Sequence, residues 1–315
     1  MESRPPRLGS QRRNSEWSQK KRENNSLARM KPDITIIVSS CDAYADCWEP
    51  FFKLFELFWP DCPYPLVLIT ETKSYEGLGG KVRSFPALTV SGKRKLEWGG
   101  RLMECLRRLD CQAVFYLQED FFLKDRVDQK LVAEFGDFMA RRSSGHEFTM
   151  QIGLCPLSNH GPFHVTEHPL LWEVDKQAKY RFSLLPGLWN RVDFLACLRP
   201  GYSAWEFEES SHYRARRNPK RILTINRQVF RFDGAQVYPF DPSGVLRGKW
   251  VRSHVVELFA KSGIEIDFSR RGFADEASLH APTPLAFGTR VRNALHWHGM
   301  RLINRINEGI DRFRS

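Results

Sequence analysis

Ile34-Thr35-Ile36-Ile37-Val38 reads as a strand buried on both faces, because it lacks the polar alternation of a half-exposed strand. Downstream of it, Tyr44, Trp48, Phe51, Phe55 and Phe58 recur at helical spacing until Pro60 breaks the pattern. Leu66-Val67-Leu68-Ile69 gives a second buried strand. After a glycine-containing loop, Leu96, Met103, Leu106 and Leu109 mark a second helix, and Ala113-Val114-Phe115-Tyr116-Leu117 a third strand. Two such crossovers predict a parallel sheet in an α/β domain, and open parallel sheets bind ligands beyond the carboxyl ends of their strands. Residues 39–42, Thr70-Glu71 and Gln118-Glu119-Asp120 are therefore site candidates. A third helix follows through Val127, Leu131, Phe135 and Phe138. Residues 150–290 are rich in Pro, Trp and Phe and predict mixed strands with long loops. No internal repeat is visible.

The 315 residues, 42% hydrophobic and 27% charged, are those of a globular protein large enough to bury about three quarters of its unfolded surface. No apolar run approaches the roughly 20 residues that span a bilayer. The net charge of +11 sits at the ends. Residues 1–32 hold nine basic and three acidic side chains and read as a flexible basic tail. Residues 290–315 hold six Arg against Glu308 and Asp311, leaving about +1 for everything between. That distribution argues against nucleic acid as a partner of the folded body. Seven cysteines without a C-x-x-C pair read as free thiols, and with no secretory signal the expected location is cytoplasmic.

Gln118-Glu119-Asp120 directly follows the third strand, which aims at least one carboxylate at the crevice. A Mg²⁺ or Mn²⁺ ion needs one or two carboxylates plus substrate phosphates, although Glu119 or Asp120 would equally suit a turn cap. Gly77 to Gly80 followed by Lys81 lacks P-loop spacing, and no G-x-G-x-x-G follows the first strand, so ATPase and dinucleotide-dehydrogenase readings lose their usual support. His160, His164 and His168 recur every four residues, but Gly161-Pro162 and Pro169 break the helix that would align them on a metal.

At these residues the chain resembles bacterial glycosyltransferases of the GT-A type that build surface polysaccharide or lipopolysaccharide. The resemblance covers approximately residues 33–250. Its carriers are Ser40-Cys41-Asp42, Trp59-Pro60-Asp61-Cys62-Pro63-Tyr64-Pro65, Trp98 with Arg101, the segment from Tyr116 to Phe121, and Trp205-Glu206-Phe207-Glu208. It implies a Rossmann-like, mostly parallel sheet flanked by helices, with a nucleotide-binding half at 33–125 and a mixed acceptor half at 126–289. In such enzymes the last Asp of an Asp-x-Asp motif holds a metal on the donor diphosphate. Asp120 matches that Asp, while Gln118 stands where the first would be. Ser40 and Asp42 would contact the nucleotide, Asp42 also being placed to cap the following helix. Trp98 and Arg101 would line the donor pocket beside Glu119, with Arg available for a bidentate phosphate contact.

Ser203 followed by Glu206 is also a capping-box pattern. An inverting transferase needs one carboxylate to take the acceptor proton, and the resemblance puts it at the start of this helix. Glu206 and Glu208 would point about 200° apart on a helix, so only one can serve. The reading favours Glu208 as base, with Glu206 capping or positioning the acceptor. Trp172, Tyr180, Trp189 and Trp205 are candidates for an aromatic acceptor wall. Lys249 and Trp250, after the turn at 243–248, would close over the diphosphate.

Residues 290–315 carry an apolar stripe, Val291, Leu295, Leu302, Ile306, Ile310 and Phe313, with Arg301, Arg305 and Arg312 elsewhere on the helix. This basic amphipathic helix would dock on the core or lie peripherally at the inner face of the cytoplasmic membrane, near lipid-linked acceptors. The expectation is thus a hexosyl- or related transferase that uses a nucleotide-sugar donor and a divalent cation. A non-catalytic glycan- or nucleotide-binding relative that assembles a membrane complex is the alternative, kept open by Gln118. Nucleotidyl transfer usually carries a glycine-rich signature after the first strand, which is missing.

Overall fold

A computed structural model describes residues 33–141, 148–178, 180–209 and 218–275. The basic tail and the C-terminal amphipathic segment lie outside the described residues. The first four strands are β1 (Ile34–Ser39), β2 (Leu66–Thr70), β3 (Val82–Pro86) and β4 (Ala113–Gln118). β1, β2 and β4 are the three expected ones. β3 is an addition: only Val82 and Phe85 are buried and Arg83 is exposed, so it carries no continuous apolar run. Five more strands complete the layer: β5 (Thr149–Gly153), β6 (Phe163–Val165), β7 (Leu171–Val174), β8 (Gly187–Asn190) and β9 (Arg221–Ile225). Their order is β3-β2-β1-β4-β8-β5-β9-β7-β6. β1 to β4 pair in parallel, and only β8 and β7 run against the others. The architecture is α/β with a mostly parallel sheet.

Every residue of β1 is buried, because helices cover both faces of the sheet. On one face Ile36, Val38, Phe115 and Leu117 pack against Phe51, Phe52 and Phe55 of helix α1 (Trp48–Phe58). On the other, Ile37, Val67, Ile69 and Tyr116 pack against Leu102, Cys105 and Leu106 of α2 (Trp98–Leu106). The predicted single helix from Tyr44 is instead a 3-10 turn (Asp42–Cys47), kinked at Tyr44, that leads into α1. Helix α3 (Gln129–Arg141) returns the chain to β5. Residues 204–209 are helical, and a small hairpin of β10 (Val245–Leu246) and β11 (Lys249–Trp250) precedes α4 (Arg252–Lys261). All seven cysteines are free. Among the described residues, no helix is long and apolar enough to cross a membrane.

Candidate active site

Parallel register sets Ser39 beside Ile69 on one side and Gln118 on the other. The chain therefore leaves β1, β2 and β4 at one rim, which gathers residues 40–42, 70–73 and 118–120. A cavity of about 580 Å³ lies at the opposite, amino ends of β1 and β4, where Lys220 pairs with Asp193. Size does not choose between the two ends; ligands of open parallel sheets bind at the carboxyl one.

At the β1 and β2 side, hydrogen bonds occupy the predicted polar groups. Ser40 is buried, and its hydroxyl accepts the Trp48 indole N–H at 2.7 Å. Asp42 does not cap the turn that it begins. Its carboxylate accepts backbone N–H groups of Glu71 and Thr72 at 3.1 Å and Lys73 at 3.2 Å. Burial alone would raise the Asp42 pKa, but the Thr72 hydroxyl and these N–H groups outweigh it and hold the group below its ordinary range. Glu71 Oε2 accepts the Asp42 N–H at 3.2 Å, and Glu71 Oε1 meets Arg101 at 3.2 Å. Arg101 also donates to the Leu96 carbonyl at 2.9 Å, while its Nε is buried without a hydrogen-bond partner.

The β4 side differs. Gln118 turns back to donate to the Tyr116 hydroxyl at 3.3 Å. Glu119 is buried, and burial, reinforced by the Asp120 charge, pushes its carboxyl pKa up against the opposing charges of Arg101 and Arg271. Burial likewise raises Asp120, partly offset by the Val245 backbone N–H. The adjacent Gly244 N–H donates to the Asp120 carbonyl at 3.1 Å. A Cβ at Gly244 would stand 2.2 Å from the Phe122 ring, so only glycine lets this loop lie across Asp120. Among the described residues neither acid is ion-paired with a Lys or Arg within 4 Å, and no group of three potential metal ligands forms. Two neighbouring oxygen-donating carboxylates without a direct counter-cation are a donor set that a hard divalent ion could complete with phosphates and water.

Arg271 is the rim residue that sequence reasoning missed. It forms a bidentate pair with Asp46, donates to the carbonyls of Ala43 at 2.7 Å and Gly248 at 3.3 Å, and lies over the Tyr44 ring at 4.5 Å. Three segments that cradle the end of β1 are thereby joined. Asp46 is 225 residues away in sequence, and no local pattern announces such a pair.

Helix 204–209 reaches the rim because the first turn of α2 carries two glycines, Gly99 and Gly100. A Cβ at Gly99 would stand 2.2 Å from the Arg199 carbonyl, and the Gly99 N–H donates to the Tyr202 carbonyl at 2.8 Å. Backbone therefore sits directly on backbone, and the next residues start the helix. Trp98 packs between Phe207, 5.6 Å away, and Tyr116, whose hydroxyl accepts its indole N–H at 3.3 Å. Ser203 and Glu206 form the expected capping box: the Ser203 N–H and hydroxyl donate to Glu206 at 2.8 and 2.9 Å, and the Glu206 N–H returns to the hydroxyl at 3.2 Å. Glu208, partly buried, accepts the Leu184 N–H at 2.7 Å. Burial raises its pKa, and that hydrogen bond opposes the rise.

Glu208 and Trp205 share a cleft of about 330 Å³ with Gln118, Ser243, Tyr180 and His160. Gln118 and Ser243 flank Asp120 in the fold, so the β4 turn and the Glu208 helix face each other across one opening. Trp189 does not belong to this wall: it is fully buried and stacked on Phe194 at 4.2 Å. Trp172 lies beside Phe163 on the sheet's far edge. Lys249 is exposed on the hairpin, and Trp250 is buried beneath it. The three histidines separate, His164 to Asp175, His168 to Glu134 and His160 against Tyr180.

No protein-family profile matches the chain, and no curated protein matches it. Several solved structures do. The galactosyltransferase LgtC, solved with donor and acceptor sugar analogs, is 16% identical over 39% of this chain and 47% of its own, with a TM-score of 0.26. TarS of S. aureus is 12% identical over 76% of this chain and 41% of its own, with a TM-score of 0.40. An active-site mutant of LgtC is 12% identical over 78% of this chain and 99% of its own, with a TM-score of 0.38. This chain thus spans less than half the length of the first two.

Proposed function

We propose that the protein transfers a sugar from a nucleotide-sugar donor to a hydroxyl of a bacterial surface glycan or lipid-linked glycan. The observation that carries this reading is that Glu208 lines one cleft with Gln118 and Phe121, the residues on either side of Glu119-Asp120. The donor's diphosphate would lie at the rim near Asp120, with Arg101 on its β2 side. A divalent ion held by Asp120 would supply charge neutralisation to the departing diphosphate. Glu208, raised in basicity by burial, accepts the proton of the acceptor hydroxyl. The acceptor oxygen forms its bond to the anomeric carbon as that carbon's bond to phosphate oxygen breaks. The bonding pair leaves with the nucleoside diphosphate, giving inversion. Glu206 stays in its cap and takes no part.

The test is incubation of the protein with a panel of nucleotide sugars while nucleotide release is followed. The expected result is release from at least one donor, with Asp120→Ala reducing it by about 10²-fold or more, the scale of losing electrostatic stabilisation at a leaving group. Full activity of Asp120→Ala would remove that residue from the chemistry. Nucleotide binding without turnover of any donor would favour the non-catalytic reading, for which Gln118, in the place of a motif Asp, is the supporting feature.

A further inference from the structure

The cleft that holds Glu208 has a lining unlike the rest of the surface. Leu157, Tyr180 and Trp205 are exposed by 49, 44 and 70% and belong to the short set of large apolar side chains left open to solvent. All three ring this one opening, whose floor and sides add the polar groups of Gln118, Ser183 and Glu208. Trp205 and Glu208 are three residues apart on helix 204–209, which puts ring and carboxylate on one helix face. The opposite wall is held under backbone strain. Tyr180 has φ +47°, a region that costs a bulky residue free energy unless its surroundings enforce it, and Asn159, next to His160, has φ +66°, which Asn adopts readily. These two positive-φ positions accompany His160 and Tyr180 rings 5.5 Å apart.

An open aromatic face beside hydrogen-bonding groups complements a sugar ring, which has an apolar C–H face and a rim of hydroxyls. At about 330 Å³ the cleft lies at the small end of ligand pockets, a size for one or two rings rather than a longer chain segment. The Glu208 carboxylate in its wall disfavours an anionic group there. We infer that this cleft is a subsite for a neutral mono- or disaccharide terminus, stacked on Trp205 and facing the Tyr180 and His160 wall. Its identity as the acceptor subsite rests on the transfer reading; its capacity to bind a neutral sugar does not.

The experiment is acrylamide quenching of tryptophan fluorescence in the full chain and in Trp205→Phe. The probes are a panel of neutral mono- and disaccharide methyl glycosides, with glucuronic acid and glycerol phosphate as acidic arms. The difference between the two proteins isolates Trp205, and matching thermal midpoints show that the variant folds. At least one neutral glycoside should lower quenching of the Trp205 component about twofold or more, as a covered ring requires. Tyr180→Ala should weaken the same effect. Protection by the acidic probes alone, no protection by any neutral glycoside, or equal protection in Trp205→Phe would each overturn the inference. A chain that binds a glycoside but releases no nucleotide keeps the subsite and loses the transfer reading. One that releases nucleotide without protection loses only the subsite.

Discussion

The two sides of the rim treat their acids in opposite ways. Beside β1 and β2, Asp42 collects three backbone N–H groups and a hydroxyl, and its pKa is held down despite some burial. Beyond β4, the pKa values of Glu119, Asp120 and Glu208 are all raised, with burial the largest cause for each. A carboxylate whose charge is already met by the chain is architecture, fixing the loop after β2 to the turn after β1. One that burial biases toward its protonated form beside a cleft is placed to exchange a proton with something that arrives. The contrast separates candidate chemistry from scaffold without reference to any relative.

Removal of the Glu208 charge should have the largest effect. Glu208→Gln keeps an oxygen acceptor for the Leu184 N–H and removes the base, so transfer should fall by about 10²- to 10⁴-fold. The acid limb of the wild-type pH profile should lie above the ordinary carboxylate value of about 4.3, since a base works only when deprotonated and burial raises this one. Because burial penalises the ionised form, the variant should be no less stable than wild type at neutral pH. Steady-state nucleotide release across pH, together with a thermal melt, checks all three. A fully active Glu208→Gln would break the contrast at its strongest point.

Asp42 should show the reverse pattern, a structural cost with a smaller effect on turnover. Asp42→Ala leaves the N–H groups of residues 71–73 to water at a partly exposed site, so the expected loss is about 1–2 kcal/mol. With a folded pKa below the unfolded one, the Asp42 contribution is present above about pH 3.9 and is lost as pH falls through the folded value. Denaturant titrations should therefore separate wild type from the variant at pH 7 and narrow that gap at pH 3, below the unfolded value. A constant difference at both pH values would show that something other than the carboxylate charge holds this loop.

The half of the fold that was legible is the half built from continuous apolar runs. Ile34 to Val38, Leu66 to Ile69 and Ala113 to Leu117 each state their burial on both faces in sequence alone, and their carboxyl ends located the rim. β3 was not legible because an edge strand with Arg83 and Ser84 needs no such run. Past β4 no strand exceeds five residues and two have only two, and the order of those in the large sheet depends on distant pairings. The same limit applies to the rings. Trp189 and Trp205 are indistinguishable as letters, yet one is a fully buried residue of β8 and the other stands open at the cleft. Arg271 was hidden for a third reason: its meaning is its partner, and no periodicity encodes that.

Glu206 supplies the smallest and sharpest comparison, because it lies two residues from Glu208 and is chemically identical to it. Its Oε2 already accepts two hydrogen bonds from Ser203, which closes the helix N-terminus. Glutamine also satisfies a capping box, so Glu206→Gln should change stability by less than about 0.5 kcal/mol and transfer by less than about twofold. Glu206→Ala removes the acceptor and should cost about 0.5–2 kcal/mol, the range seen when a capping side chain is lost. Thermal melts paired with nucleotide-release rates for both variants decide the matter. If Glu206→Gln lowers transfer as far as Glu208→Gln does, hydrogen-bond occupancy does not distinguish scaffold acids from reacting ones at this rim. If only the alanine variant is affected, and only in stability, Glu206 is assigned to the helix and Glu208 to the cleft.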